Sequence, residues 1–75
     1  MNRLEALGLV IRETRQAKGL SQEKLAELSK LHRNFIGLVE RCATVPALDS
    51  LLAIADALDC AASELLTKAE QMADS

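Results

Sequence analysis

Residues 19–41, GLSQEKLAELSKLHRNFIGLVER, decide the fold of this 75-residue chain because they predict two short helices joined by a tight turn. Gly19 can end a preceding helix in the left-handed conformation, and Ser21 can cap the helix that follows. The apolar spacing then predicts one helix from about Gln22 to Ser29 and a second from about Arg33 to Arg41. A connection this short forces the two helices to cross at a steep angle.

Three more helices are expected around this unit. Apolar spacing predicts a helix from Arg3 to Lys18, in which Gly8 costs about 1 kcal/mol relative to alanine. Beyond the break at Pro46, further helices are predicted from about Leu48 to Leu58 and from about Ala62 to Met72. The apolar stripes of the five helices comprise Leu4, Leu7, Val10, Ile11, Ala17, Leu25, Ala26, Leu28, Ile36, Val39, Leu48, Leu51, Ile54, Ala55, Leu58, Leu65, Leu66 and Ala69. A chain of this size has one core, so residues 1–75 are expected to form a single all-α domain of five short helices.

The composition of the chain argues against several classes of function. No uncharged apolar run approaches the roughly 18 residues of a membrane span, so we expect a cytoplasmic protein with no membrane partner. Cys42 and Cys60 lack the spacing of metal ligands and are expected to be structural thiols. One histidine, no Gly-rich phosphate loop and no clustered carboxylates provide no catalytic site, so we expect neither an enzyme nor a metal or cofactor.

Charge is distributed unevenly along the chain. The formal charge of −2 is unfavourable for binding phosphates, but residues 1–41 hold eight basic and five acidic side chains, whereas residues 42–75 hold one basic and six acidic. This asymmetry fits a basic face for DNA and an acidic face turned away from it. It also occurs on charged helical surfaces that have no partner.

The helix from about residue 33 to residue 41 is the predicted reader of DNA, because the second helix of such a unit enters the major groove N-terminus first. Arg33 can present two donors to guanine and Asn34 can pair with adenine. Gly37 permits close approach of the backbone, and Leu38 can touch a thymine methyl group. These four are the predicted base contacts on a double-stranded operator.

Other polar residues are assigned to the DNA backbone or to structure. Gln22, at a helix N-terminus, is the leading candidate for a phosphate contact. The weaker candidates are Ser21, Lys24, His32, Arg41 and Lys18. For His32 a surface imidazole without a role is an equal alternative. Arg15 and Glu40 lie on helices that must pack together and are expected to form a structural ion pair.

A homodimer is expected, since one short helix with two base readers provides too little affinity for a specific regulator. The last two helices carry more apolar residues than one core can cover. The interface is predicted to include Leu52, Ala57, Cys60, Leu65 and Leu66. If the protein activates transcription, it must also contact RNA polymerase.

The chain resembles a known family of proteins over roughly residues 4–67. The matching segments are Leu7-Gly8, Ile11-Arg12-Glu13, Arg15, Gly19 to Ala26, Ile36, Val39-Glu40-Arg41, Pro46, Leu48, Leu51, Ile54-Ala55, Leu58 and Ser63 to Leu66. They are similar to the phage repressor and Cro (XRE-type) helix-turn-helix proteins. The resemblance implies a five-helix, lambda-repressor-like DNA-binding domain, usually dimeric on a palindromic operator. It also implies phosphate contact by Gln22 and pairing of Arg15 with Glu40.

Residues 31–41 resemble most the controller proteins of restriction–modification systems, which activate the endonuclease gene and repress their own promoter. The resemblance places Arg33 and Asn34 at their DNA-contacting positions. His32 and Leu38 depart from that pattern and point to a different target sequence. Cys42 stands where glycine is usual, so the turn is either strained, reshaped or packed around a small apolar side chain. The alternatives are a phage or plasmid repressor and an antitoxin-like module that binds another protein.

Overall fold

Five helices build the protein, of which the computed structural model describes residues 1–74. They are α1 (Arg3–Ala17), α2 (Gln22–Ser29), α3 (Arg33–Glu40), α4 (Leu48–Ala57) and α5 (Ala62–Ala73). The predicted all-α architecture is confirmed, and α2 has the predicted bounds. Helix α3 packs against α1 and α2, while α5 packs against α1 and α4. No helix in residues 1–74 combines the length and apolar character needed to cross a membrane.

Local signals explain where the first two helices begin and end. Asn2 Oδ1 accepts from the Glu5 N–H at 2.8 Å, and the Glu5 carboxylate accepts from the Asn2 N–H at 3.1 Å, which makes a capping box. Gly19 is left-handed, with φ +72°, and ends α1. Ser21 Oγ accepts from the Lys24 N–H at 3.0 Å and caps α2. The turn before α2 is therefore fixed by residues that the sequence identifies.

Cys42 keeps the turn after α3 in a left-handed conformation, with φ 56°. Its N–H donates to the Val39 carbonyl at 3.0 Å, and the Ala43 N–H donates to the Leu38 carbonyl at 2.8 Å. These two bonds form the usual glycine-type helix end. The turn is thus not reshaped, and the half-buried Cys42 adopts a conformation that costs about 1–2 kcal/mol for an L-residue.

A single apolar core joins all five helices. Its buried members are Ala6, Leu7, Val10, Ile11, Leu25, Ala26, Ile36, Val39, Leu51, Ile54, Ala55, Leu58, Leu65 and Ala69. The expected stripes were too wide, because Leu4, Leu28, Leu48 and Leu66 are 49%, 47%, 69% and 40% exposed. Leu4 and Leu48 lie in the first turns of their helices, where no neighbouring helix covers them. Leu48 and Leu52 therefore form an exposed apolar pair on α4, next to the exposed Asp49 and Asp56.

Candidate nucleic-acid interface

One face of α3, together with the start of α2, forms a concave surface that we call the recognition surface. It is lined by Gln22, Arg33, Asn34, Gly37, Leu38 and Arg41. Arg33 and Asn34 are exposed in the first turn of α3, and Leu38 is 37% exposed one turn later. Three of the four predicted base contacts therefore present their side chains on the same side of the protein.

Gly37, the fourth predicted base contact, is buried and has no side chain that could reach a base. A Cβ atom built on it would lie 3.2 Å from Arg41 Nη1 and 3.8 Å from Gln22 Oε1. The Arg41 guanidinium thus extends back over Gly37, after capping α3 one residue earlier than predicted. Gly37 still lines the recognition surface, and its close approach to a base stays a prediction that requires the flexible Arg41 side chain to move.

The angle of α3 is set by a buried ion pair. Arg15 Nε donates to Glu40 Oε2 at 2.6 Å, and Arg15 Nη2 donates to Glu40 Oε1 at 3.0 Å. The third Arg15 nitrogen, Nη1, donates to the Leu20 carbonyl at 2.8 Å. The two side chains are only 11% and 2% exposed. The structural pair predicted from the sequence is present, and it ties α3 to α1 and to the turn before α2.

Gln22 joins the same network. Its Nε2 donates to Glu40 Oε1 at 3.1 Å, so the amide orientation is fixed by the buried carboxylate. The second Nε2 hydrogen remains available for a phosphate oxygen. Gln22 is half-buried where α2 begins and lines the recognition surface, as a backbone contact at a helix N-terminus should.

Arg33 has a partner that the sequence did not reveal. Its Nε lies 3.5 Å from Glu23 Oε1, and the two side chains are 56% and 76% exposed. A solvent-exposed ion pair of this kind contributes about 1 kcal/mol or less to stability. Arg33 can therefore exchange Glu23 for a guanine edge at little cost. Glu23 and Arg33 are ten positions apart on different helices, and no local spacing connects them.

His32, Ser21 and Lys24 are engaged locally at the ends of α2 and α3. His32 caps α3, and its Nδ1 accepts from the Asn34 N–H at 3.3 Å. A neutral ring in this geometry carries its proton on Nε2, which can donate to a phosphate. Ser21 Oγ caps α2, and Lys24 Nζ lies 3.3 Å from Glu27 Oε1. These three remain exposed at the side of the recognition surface.

Lys18 does not lie near this surface, contrary to expectation. It lines a groove between α1 and α5 together with Lys68 and Met72. It is also close enough to Cys60 to lower the pKa of that thiol. Burial and the Glu64 carboxylate outweigh this effect and raise the Cys60 pKa above its ordinary value. Lys18 ends α1 on the side of α5, apart from the residues that line the recognition surface.

The predicted dimer contacts also separate into two groups. Leu65 is 1% exposed and belongs to the core of its own protomer, so it cannot contact a partner. Ala57 and Cys60 are half-buried against that core. Leu52 and Leu66 are 48% and 40% exposed, and Leu48, which belongs to the predicted apolar stripe of α4, is 69% exposed. Neighbouring residues on α5 differ by about 100° around the helix, which is why Leu65 and Leu66 have opposite environments.

A second polar concavity, which we call the α1–α3 cup, adjoins the recognition surface. It is lined by Arg12, Arg15, Gln22, Glu40 and Arg41. Arg12 was not predicted as a site residue, although its spacing of three from Arg15 places both side chains on one face of α1. The cup and the recognition surface share Gln22 and Arg41.

Comparisons with known proteins agree with this geometry. The Helix-turn-helix family model matches residues 11–65. Control protein C.SmaI of Serratia marcescens is 44% identical over 64 residues, which are 85% of this chain and 76% of that protein. The restriction-modification controller protein C.AhdI from Aeromonas hydrophila superposes with a TM-score of 0.81 at 48% identity, covering 83% of this chain and 94% of that one. The clp gene regulator ClgR from Corynebacterium glutamicum gives a TM-score of 0.93 at 26% identity, covering 99% and 79%.

Proposed function

Since this chain belongs to the helix-turn-helix family and is a sequence-specific DNA-binding regulator of transcription, we propose that it is a restriction–modification controller that binds a palindromic operator as a homodimer. C.SmaI and C.AhdI are 44% and 48% identical to it over the aligned residues, and the controller protein C.Esp1396I is 31% identical. A phage or plasmid repressor, the alternative, would use the same surface on a different operator.

One observation carries the proposal. Arg33, Asn34 and Leu38 are exposed on one side of a helix whose angle is fixed by the buried Arg15–Glu40 pair. A guanidinium and a carboxamide near the N-terminus of such a helix are the groups that discriminate guanine and adenine, each by about 1–3 kcal/mol. A rigid support is what such contacts require, because their specificity depends on geometry.

The dimer is supported by the exposed leucines of α4 and α5. Leu48 and Leu52 are four residues apart and share one side of that helix, and Leu66 is exposed on the adjoining helix α5. Burying these side chains against a second copy would remove them from water and would relate the two copies of α3 by a two-fold axis. Two half-sites with centres about one helical turn apart would then be read together.

Whether such a dimer activates or represses transcription would depend on the position of its operator relative to the promoter. Bound near a promoter it would contact RNA polymerase through exposed acidic groups. Glu13, Glu23 and Glu27 are exposed on the basic half of the chain, and the last two would first have to leave their weak ion pairs with Arg33 and Lys24. The same dimer would repress where its operator overlaps the polymerase site. We place this activity in the cytoplasm, where the DNA of a restriction–modification system lies.

Selection from a randomised duplex library tests the proposal. The purified protein is mixed with the library at moderate salt, and the bound DNA is sequenced. An inverted repeat with half-sites about one turn apart is expected. Sedimentation of the same sample at tens of micromolar should show a dimer. Recovery of no motif, or of a single half-site by a monomer, would contradict the dimeric operator.

A further inference from the structure

We propose that Arg12 on α1 is an additional contact to the DNA backbone, and that with Arg41 and Gln22 it holds one phosphate in the α1–α3 cup. This inference rests on the proposed function and extends its binding site to a third helix. Nothing in the family match or in the recognition-helix pattern assigns such a role to Arg12.

The cup carries positive charge that the protein does not neutralise. Glu40 is its only carboxylate, and both Glu40 oxygens are already engaged, by Arg15 and by Gln22. Arg12 and Arg41 make no ion pair with any group in residues 1–74, unlike Arg15, Lys24 and Arg33. Two unpaired guanidinium groups around one concavity repel each other, and an anion between them would relieve this repulsion.

The position of the cup identifies the anion as a phosphodiester of the bound duplex. Gln22 and Arg41 form the boundary between the cup and the recognition surface, since both residues line both concavities. When α3 lies in a major groove about 12 Å wide, the sugar-phosphate backbone must pass immediately beside it. The cup is therefore on the path of one strand. Guanidinium groups suit this site because their paired N–H donors match two phosphate oxygens.

A phosphate held there would fix the register of α3 in the groove. Contacts to the backbone position a protein without reading sequence. Glu40 lines the cup and also belongs to the ion pair that sets the angle of α3. The position of the bound phosphate and the angle of α3 would therefore both depend on this buried carboxylate. Arg12 thus contributes affinity and salt dependence, whereas Arg33 and Asn34 contribute base preference.

The experiment compares Arg12→Gln with Arg3→Gln on the selected operator. Arg3 is also exposed, at the N-terminal end of α1 and about 14 Å away along the helix axis, and it lines neither concavity. Binding is followed by fluorescence anisotropy over a series of KCl concentrations. Each phosphate contact contributes about 0.9 to the slope of log K against log salt. R12Q should therefore lower the slope by about 0.9 for each protomer bound and weaken binding about fivefold per protomer at 0.15 M salt.

Two outcomes would overturn the inference. One is R12Q behaving like R3Q. The other is R12Q weakening binding with an unchanged slope, which would mean that Arg12 acts on the fold rather than on a phosphate. R12K should recover most of the slope, and thermal unfolding of R12Q should match that of the wild type, since Arg12 is exposed. If the wild-type protein binds no selected operator, the proposed function fails first, and that result is distinct from both outcomes.

Discussion

Replacing Gly8 by alanine should destabilise the protein, although this change stabilises most helix interiors by about 1 kcal/mol. A Cβ atom on Gly8 would lie 2.6 Å from the Val39 carbonyl oxygen and 2.8 Å from that of Glu40. Ordinary carbon–oxygen contacts are about 3.3 Å or longer, so α1 and α3 would have to separate by about 0.7 Å. Both obstructing atoms are backbone and cannot rotate away. Overpacking of this kind costs about 1–3 kcal/mol, and subtracting the gain in helix propensity leaves a net loss of up to about 2 kcal/mol.

Gly37→Ala is the matched control, because it makes the same substitution in α3. There the nearest atom is Arg41 Nη1 at 3.2 Å, the end of an exposed and flexible side chain that can move. Urea unfolding at equal protein concentration should show G37A more stable than the wild type by up to about 1 kcal/mol and G8A less stable. Thermal midpoints should differ by about 4–8 °C per kcal/mol. Equal stabilisation by both alanines would refute the argument that α1 and α3 are in backbone contact at Gly8.

Two further predictions concern charge and capping. Glu40→Gln leaves the buried Arg15 without its counter-charge and should cost about 3–5 kcal/mol in urea unfolding, whereas the double variant Arg15→Met with Glu40→Met should recover much of that loss; a double variant no more stable than Glu40→Gln would contradict the pairing. Ala61 begins α5 without a side-chain acceptor, and only the Glu64 carboxylate bonds back to the Ala61 N–H at 3.2 Å. Ala61→Asp should complete this cap and add about 0.5–2 kcal/mol, and an unchanged midpoint would show that the end of α5 is already satisfied.

Helix positions were predictable because their signals are local. Gly19 and Ser21 fix the end of α1 and the start of α2 within three residues, so α2 agrees with its prediction. Which apolar side chains are buried was less predictable. Periodicity identifies a helix face but not the helix that covers it, and this is why the predicted apolar stripe of α4 includes Leu48, which is exposed. Gly8 was predicted only as a cost, since its close approach depends on the crossing of α1 and α3.

Some features of the candidate site were predictable from the sequence, and others depend on how the helices pack. The Arg15–Glu40 pair followed from the two helices being packed together and from the family resemblance. The pair of Glu23 with Arg33 joins residues on different helices, and only the steep crossing of α2 and α3 brings them together. Lys18 was misplaced because the sequence gives its position at the end of α1 but not the side of the protein that it faces. The α1–α3 cup has three helices around it, so no single segment contained it.

Selection with Arg33→Ala tests the central claim most directly, since α3 is held to read bases through that side chain. The randomised library is exposed in parallel to the wild type, to R33A and to Lys68→Ala, a control that removes an exposed cation from α5. We predict that R33A loses the preference for one base pair, symmetrically in both half-sites, and keeps the rest of the motif, with a loss of about 1–3 kcal/mol per contact. Lys68→Ala should return the wild-type motif. An R33A motif identical to that of the wild type would contradict the assignment of α3 as the reader of the operator.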